Sequence, residues 1–318
     1  MSPQHFEDRA SHLPAKDRPL YFIINPAASN GKARAAWDEL QQYLHQQDIP
    51  YWFAISEDED NLTALAKKAA ETPGAVVAGV GGDGTMSLIA TAIYGSDAVL
   101  GVIPAGTGND FARTFCIPAN PIEACRSLLD GNIVPLDLGR LNGKLFYNVV
   151  GAGLDAEVVA DANRLFKKVS GSLGYMLALV KQLVFYRPHR FHITVDGKHT
   201  EMDAWLVSVA NAQYYGSGMR VAPEADPQDG YADVVIVGKL HRLQFMRLFP
   251  LVYQGKHVKH PAVKVLRGKQ ITVKCAKPLH VHADGELIGK TPLKVEMCHH
   301  AISIKVPAAE NEKISTAV

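Results

Sequence analysis

The chain has 318 residues, 47% apolar and 20% charged, with 33 Lys plus Arg against 32 Asp plus Glu for a formal net charge of +1. This ordinary globular profile suits two domains and an interior that stands without disulfide or metal staples. The even charge balance gives no case for a nucleic-acid binder, whose footprint is a marked basic excess.

Residues 1–19 are polar, carry both signs of charge and lack an apolar h-region, so they are expected to be a disordered lead-in and not a signal peptide. Leu20 to Asn25 is a short apolar run stopped by Pro26, the pattern of a buried strand. Ala33 to Gln47 places Trp37, Leu40 and Leu44 at helical spacing. Tyr51 to Ile55 reads as a strand, and Asn61 to Glu71 as a helix closed by Pro73-Gly74. Ala75 to Val80 and Ala98 to Ile103 are further buried strands, each followed by a glycine-rich loop and a helix start. Pro121 to Leu129 is a helix that Gly131 can cap. Such strand–helix alternation predicts an α/β domain with a parallel sheet covered on both faces.

After Ile133 the texture changes to period-two runs joined by Asn142-Gly143, Asp196-Gly197 and Asp284-Gly285, each suited to a tight hairpin. Two helical stretches interrupt them, roughly Asp155 to Tyr186 and His241 to Gly255. The second domain is therefore expected to be β-rich and antiparallel, with the boundary near Asn132. The four cysteines, Cys116, Cys125, Cys275 and Cys298, form no C-x-x-C pair, which fits reduced thiols in a cytoplasmic protein. Leu173 to Tyr186, the longest apolar-rich stretch, is broken by Lys181 and Gln182 and is too short to span a bilayer, so membrane contact would be peripheral. Its Leu, Met, Tyr and Phe, flanked by Lys167, Lys168, Arg187 and Arg190, favour a core stripe with a solvated basic rim over a membrane-facing one.

The strongest local signal is Gly79-Val-Gly-Gly-Asp-Gly-Thr85, at a strand end and opening a helix. Glycines let the backbone approach a phosphate, and the helix start offers amides and a favourable dipole. Gly79, Gly81 and Gly84 formally match the dinucleotide fingerprint, but that pattern belongs on the first strand. Asp83 would also repel a pyrophosphate unless a cation lay between, a conflict that a Mg²⁺-bridged nucleotide resolves. The plain alternative is a glycine turn with Asp83 as helix cap. No P-loop sequence is present. The next strand ends in a second loop, Pro104-Ala-Gly106-Thr107-Gly-Asn109-Asp110. Two such loops on successive strands, each with an acidic residue, point to one phosphate–metal site at the carboxyl edge of the sheet. Asn25-Pro26, Ser29 and Gly31-Lys32 after the first strand, with Ser56 after the second, complete that edge.

Asn25-Pro26, the GGDGT of Gly81, Gly82, Asp83, Gly84 and Thr85, and the PAGTGNDFAR of Pro104 to Arg113 resemble the diacylglycerol kinase catalytic family, which includes soluble bacterial lipid kinases and sphingosine and ceramide kinases. The likeness continues through Asn148, Gly151, Gly153, Asp155 and Asn211 to Ala225, so it spans nearly everything after the first twenty residues. It implies a nucleotide-binding α/β domain over 20–132, joined by a returning segment from about 304 to 318. It also implies a β-rich lipid-substrate domain over 133–303, with the active cleft between them. It further implies ATP and Mg²⁺ as cofactors, a lipid acceptor at a membrane surface, a role in lipid metabolism and phospholipid biosynthesis, and no nucleic-acid partner; a homodimer stays open. His282-Ala-Asp284-Gly-Glu286 matches the family element in which a carboxylate accepts the proton of the substrate hydroxyl, which makes Glu286 the base candidate and Asp284 its support. Asp226-Pro-Gln-Asp229-Gly-Tyr231 matches an element that holds a structural Mg²⁺, with Ca²⁺ also suited to its oxygens. Asp229 would give the side chain, and Asp226 and Tyr231 their carbonyls. Both elements are also simple Asp-Gly turns.

One departure stands out. The family commonly continues after GGDGT with a hydrophobic residue and then Asn-Glu, where this chain has Met86-Ser87-Leu88. Ser87 can still donate a hydrogen bond; Leu88 cannot replace a carboxylate. The rival readings are an NAD kinase, which shares GGDGT but whose downstream segment is missing here, and a nucleotide- or lipid-binding module without catalysis. His241, His257, His260, His299 and His300 are expected to be ordinary residues and not metal ligands.

Overall fold

The computed structural model describes residues 7–8, 18–165 and 172–308, which fall into two compact units. The first comprises Met1–Gly106, Phe115–Val134 and Ser303–Val318; the second comprises Thr107–Thr114 and Pro135–Ile302. Nearly all of the expected lead-in, Lys167 and Lys168, and residues 309–318 lie outside the described residues.

In the first unit β1 (Glu7–Asp8), β2 (Leu20–Ile24), α1 (Lys32–Gln46), β3 (Trp52–Ile55), α2 (Glu59–Ala70), β4 (Val76–Gly81), α3 (Asp83–Ile93) and β5 (Val99–Pro104) follow one another. β3, β2, β4 and β5 lie side by side in parallel, with β1 antiparallel on the outer side of β3. Every residue of β4 and β5 is buried, as expected of strands covered on both faces. Gly79 makes this close packing feasible, since a Cβ there would collide with Ile89 and Met86 of α3. Trp37 of α1 inserts among Phe22, Tyr51 and Phe53, with ring centroids 5.2, 5.8 and 5.1 Å away. Asp58 caps α2 by accepting the Asn61 amide at 2.7 Å. Asn120 does the same for α5 (Pro121–Asp130), whose proline occupies the first turn. The short α4 (Asp110–Thr114), between β5 and α5 in the chain, belongs to the second unit.

The second unit contains β6 (Asn132–Leu141, from Pro135 onward), β7 (Lys144–Phe146), β8 (Val149–Gly153), α6 (Leu154–Leu165), α7 (Ser172–Phe185), β9 (His189–Val195), β10 (Lys198–Ala210), β11 (Ala232–Gly238), α8 (Arg242–Leu248), β12 (Val263–Gly268), β13 (Gln270–Cys275), β14 (His280–Ala283), β15 (Glu286–Lys290) and β16 (Leu293–Val306, as far as Ile302). Its registered pairings are antiparallel. All three expected turns form: Asn142-Gly143, Asp196-Gly197 and Asp284-Gly285 have positive φ at both positions, which suits the right-handed twist of the flanking strands. β10 changes partners along its length. Lys198–Ala204 pairs with β9, and beyond an irregularity between Ala204 and Leu206 the strand pairs with β8 on one side and β11 on the other. Its alternate side chains feed two apolar clusters, one around Val207, Val209, Phe191 and Ile236 and another around Trp205, Val235, Phe245 and Leu248.

The end of β16 returns to the first unit, where Ser303 and Ile304 pair in parallel with Val99 and Leu100. Within the stripe Leu173–Tyr186, the described side chains, from Leu177 onward, depart in part from the expected core reading. Ala178, Leu183 and Tyr186 are buried, but Leu177, Val180, Val184 and Phe185 are exposed, because this helix is apolar on more sides than the core can cover. No helix among the described residues is long and apolar enough to cross a membrane.

Candidate active site

The first unit gathers three loops at the carboxyl ends of its strands. Asn25 follows β2 and is tied to β4 by its amide, which donates to the Val80 carbonyl at 3.1 Å. Its side-chain Nδ2 donates to Thr85 Oγ1 at 3.1 Å, and its Oδ1 accepts the Ala27 amide. Gly81 must be glycine, because a Cβ would overlap the Thr85 side chain. A Cβ on Gly82 would lie 3.1 Å from the Gly106 Cα, so the two glycine loops run against each other there. Gly82 also serves as the N-cap of α3 and has no side chain with which to cap that helix. Its first-turn amides, with Asp83 beside them, therefore form a polar cradle able to take a phosphate oxygen.

Two of the expected nucleotide contacts also have protein duties. The buried Thr85 hydroxyl receives the Asn25 bond, and the buried Ser56 Oγ donates to the Ile24 carbonyl at 3.1 Å. These hydroxyls fasten loops to strands. Ser29 and Gly31 adopt positive φ in the turn Ala28–Gly31 that leads into α1, and Lys32 is exposed at its start. Pro26, Gly84 and Ser87 lie in or beside the same loops.

Thr107, Asn109 and Asp110 group with the second unit. Asn109 has φ +51°, and Thr107 is exposed. The buried Asp110 accepts the Ser217 and Gly218 amides at 2.7 and 2.6 Å, with Arg113 Nε at 3.9 Å from its Oδ1. Both oxygens thus clamp the 217–218 turn, a duty the sequence could not announce across a separation of 107 residues.

Asp284 is held in a comparable way. Its carboxylate accepts the amides of Tyr147, Asn148 and Val149 at 3.0, 2.9 and 3.0 Å. Burial pushes its pKa up to about 6 against the opposing pull of those three bonds. Asp284 therefore anchors the hairpin, and Glu286, exposed at the start of β15 opposite Ala283, is what the hairpin presents.

Next to this hairpin lies a cluster that sequence reasoning did not assemble. His282 is fully buried, with Nε2 3.2 Å from Asp155 Oδ2. Ser208 Oγ donates to the same oxygen at 3.3 Å, and the Tyr215 ring stacks on the imidazole at 4.8 Å. A Cβ on Gly151 would overlap both Asp155 and His282, so that glycine makes room for the pair. The only hint in the sequence is the Gly151-x-Gly153 spacing just ahead of Asp155.

The Asp226–Tyr231 turn is stapled by its own side chains. Asp226 Oδ1 accepts the Gln228 amide and Asp229 Oδ1 the Tyr231 amide, while Asp229 Oδ2 pairs with Arg267. The donors are oxygens, as Mg²⁺ or Ca²⁺ requires, but Arg267 already supplies the positive charge at Asp229. Beside this turn the fully buried Asp137 accepts the amides of Gly230 and His300 and lies 2.9 Å from His299 Nδ1. These three side chains form a compact group that could hold a cation, although His299 and His300 gave no such signal in the sequence.

Comparison with known proteins extends this picture. A model described as the diacylglycerol kinase catalytic domain matches residues 19–141, and one described as the YegS C-terminal NAD kinase beta sandwich-like domain matches residues 148–306. A diacylglycerol kinase of Mycobacterium tuberculosis is 32% identical over 90% of this chain and 94% of that protein. One from Bacillus subtilis is 29% identical over 92% and 98%. The crystal structure of a diacylglycerol kinase from Bacillus anthracis str. Sterne has the same fold, with a TM-score of 0.71 at 22% identity, covering 92% of this chain and 98% of that one.

Proposed function

Because the chain belongs to the diacylglycerol kinase catalytic family, we propose that it is an ATP-dependent kinase that phosphorylates a lipid hydroxyl, with diacylglycerol first among the acceptors to test. The observation that carries this reading is the glycine cradle, where Gly82 meets Gly106 at the start of α3 with Asp83 in its first turn. Backbone amides there would hold and orient phosphate oxygens. Mg²⁺, when bound, offsets the repulsion between the triphosphate and Asp83 and draws charge from the transferring phosphoryl group. Asn25, through Thr85, keeps the first loop locked to the second.

Glu286 is the proposed general base, accepting the proton of the lipid hydroxyl as the hydroxyl oxygen attacks the γ-phosphorus and the bond from that phosphorus to the β,γ-bridging oxygen breaks, with ADP as the leaving group. Asp284 keeps the hairpin in place and needs no part in proton transfer, since its oxygens already accept three amides. No step is assigned to a structural cation on Asp229, which pairs with Arg267. Peripheral membrane association in the cytoplasm belongs to the same proposal.

The test uses labelled ATP with vesicles carrying a panel of lipid alcohols and mass spectrometry of the product. Wild type should yield a phosphorylated lipid. Glu286→Gln should lower turnover by roughly 100-fold or more, within the usual span for a general base, while ATP affinity holds. No product from any acceptor, or full turnover in Glu286→Gln, overturns the mechanism. Leu88, where the family commonly has a carboxylate, favours one alternative, a module that binds ATP without turnover; the same assay separates the two.

A further inference from the structure

The second unit keeps an apolar surface uncovered. On α7, Leu177, Val180 and Val184 recur at intervals of three and four, and with Phe185 they face outward, Phe185 being 74% exposed. On α8, Leu243 and Met246 do the same, at 69% and 55%. Leu251 and Tyr253 continue the exposed apolar surface in the following turn, Phe249–Gln254. The opposite sides of both helices share one core, formed by Leu183, Tyr186, Phe245 and Leu248 around Trp205. Arg242 fastens them together, Nε donating to the Leu183 carbonyl at 2.7 Å and Nη2 to that of Tyr186 at 3.1 Å. The two outward faces therefore form one fixed surface.

Charge decides what fits there. Residues 162–195 and 234–283 hold sixteen of the chain's 33 Lys and Arg and none of its 32 Asp and Glu. Around the apolar residues, Arg187, Lys239, Arg247, Lys256 and Lys259 are exposed and meet no carboxylate among the described residues. A second copy of this chain docking by the same face would set basic groups against basic groups. An anionic bilayer accepts both features, headgroups taking the cations while the apolar side chains enter the boundary with the acyl chains.

We infer that α7, α8 and the turn after α8 form a docking face for an anionic lipid bilayer, against which both helices lie without crossing it. The choice of occupant rests on the lipid-kinase reading, since such an enzyme must reach an acceptor held in a membrane.

Co-sedimentation of the full chain with phosphatidylcholine vesicles, with and without phosphatidylglycerol, tests the inference. Wild type should bind the anionic vesicles and release at high salt. Phe185→Glu with Leu243→Glu, and separately Arg187→Glu with Arg247→Glu, should each weaken that binding about tenfold or more. Melting temperature, ATP binding and phosphorylation of a short-chain acceptor dissolved as monomers should hold, while phosphorylation of the vesicle-borne acceptor falls. Vesicle binding equal to wild type in both variants overturns the inference. So does a wild-type dimer that the first variant dissolves while wild type ignores vesicles. A chain that docks but phosphorylates nothing would sink the kinase reading and leave the docking face standing.

Discussion

Asp284 is drawn two ways, raised toward protonation by burial and held as a carboxylate by three amides, with burial dominant and a pKa of about 6. Its folded value lies above its unfolded one, so its contribution to stability is full below about pH 4 and fades as pH rises through about 6. Asp284→Asn should flatten that part of the stability profile, by roughly 1 to 3 kcal/mol, which thermal melts between pH 4 and 7 would show. Asp233, also raised to about 6 by burial and then by Glu224, keeps a similar slope in the variant. Residue identity alone exposed the turn at Asp284-Gly285 because turn chemistry is local. The anchoring role was hidden because the amides that make it lie some 135 residues away. The same holds for Asp155 with His282, separated by 127 residues.

At the scale of elements, the close approach of the two glycine loops sets the shape of the proposed phosphate cradle. Gly82→Ala places a Cβ 3.1 Å from the Gly106 Cα, a tight approach at which the Gly106 backbone must give by a few tenths of an ångström. ATP affinity should fall about tenfold or more, while the melting temperature moves little, since the change lies outside the core. Calorimetric titration beside a thermal melt checks both halves. Strands and hairpins were legible here because period and turn residues agree, as in β4, β5 and the three Asp-Gly or Asn-Gly turns. The buried side of α7 was not, since apolar residues ring much of that helix and periodicity cannot choose among them. Asp110 was legible as a helix start, but its clamp on Ser217 and Gly218 depends on a turn that only the folded chain brings near.

At the scale of the molecule, each unit is assembled from separated pieces of chain. The alternation before Asn132 and the hairpins after it revealed the two architectures, whereas the regrouping of Thr107–Thr114 depends on contacts that no local pattern encodes. Truncation after Ile302 should be severe. It removes the fully buried Ile304, bares the edge of β5 and deletes the Lys305 bond to the Gly131 carbonyl. Losing the isoleucine alone is of the order of 2 to 5 kcal/mol, so a melting temperature lowered by several degrees or outright aggregation is expected in scanning fluorimetry.

The same strand fixes an order of events during synthesis. Leaving the ribosome amino end first, the polypeptide delivers every hairpin of the second unit before it delivers Ser303 and Ile304. The glycine cradle is thus translated early, but the sheet beneath it waits for its final neighbour until the rest has emerged, with β5 meanwhile an open edge that a chaperone or a sister chain can find.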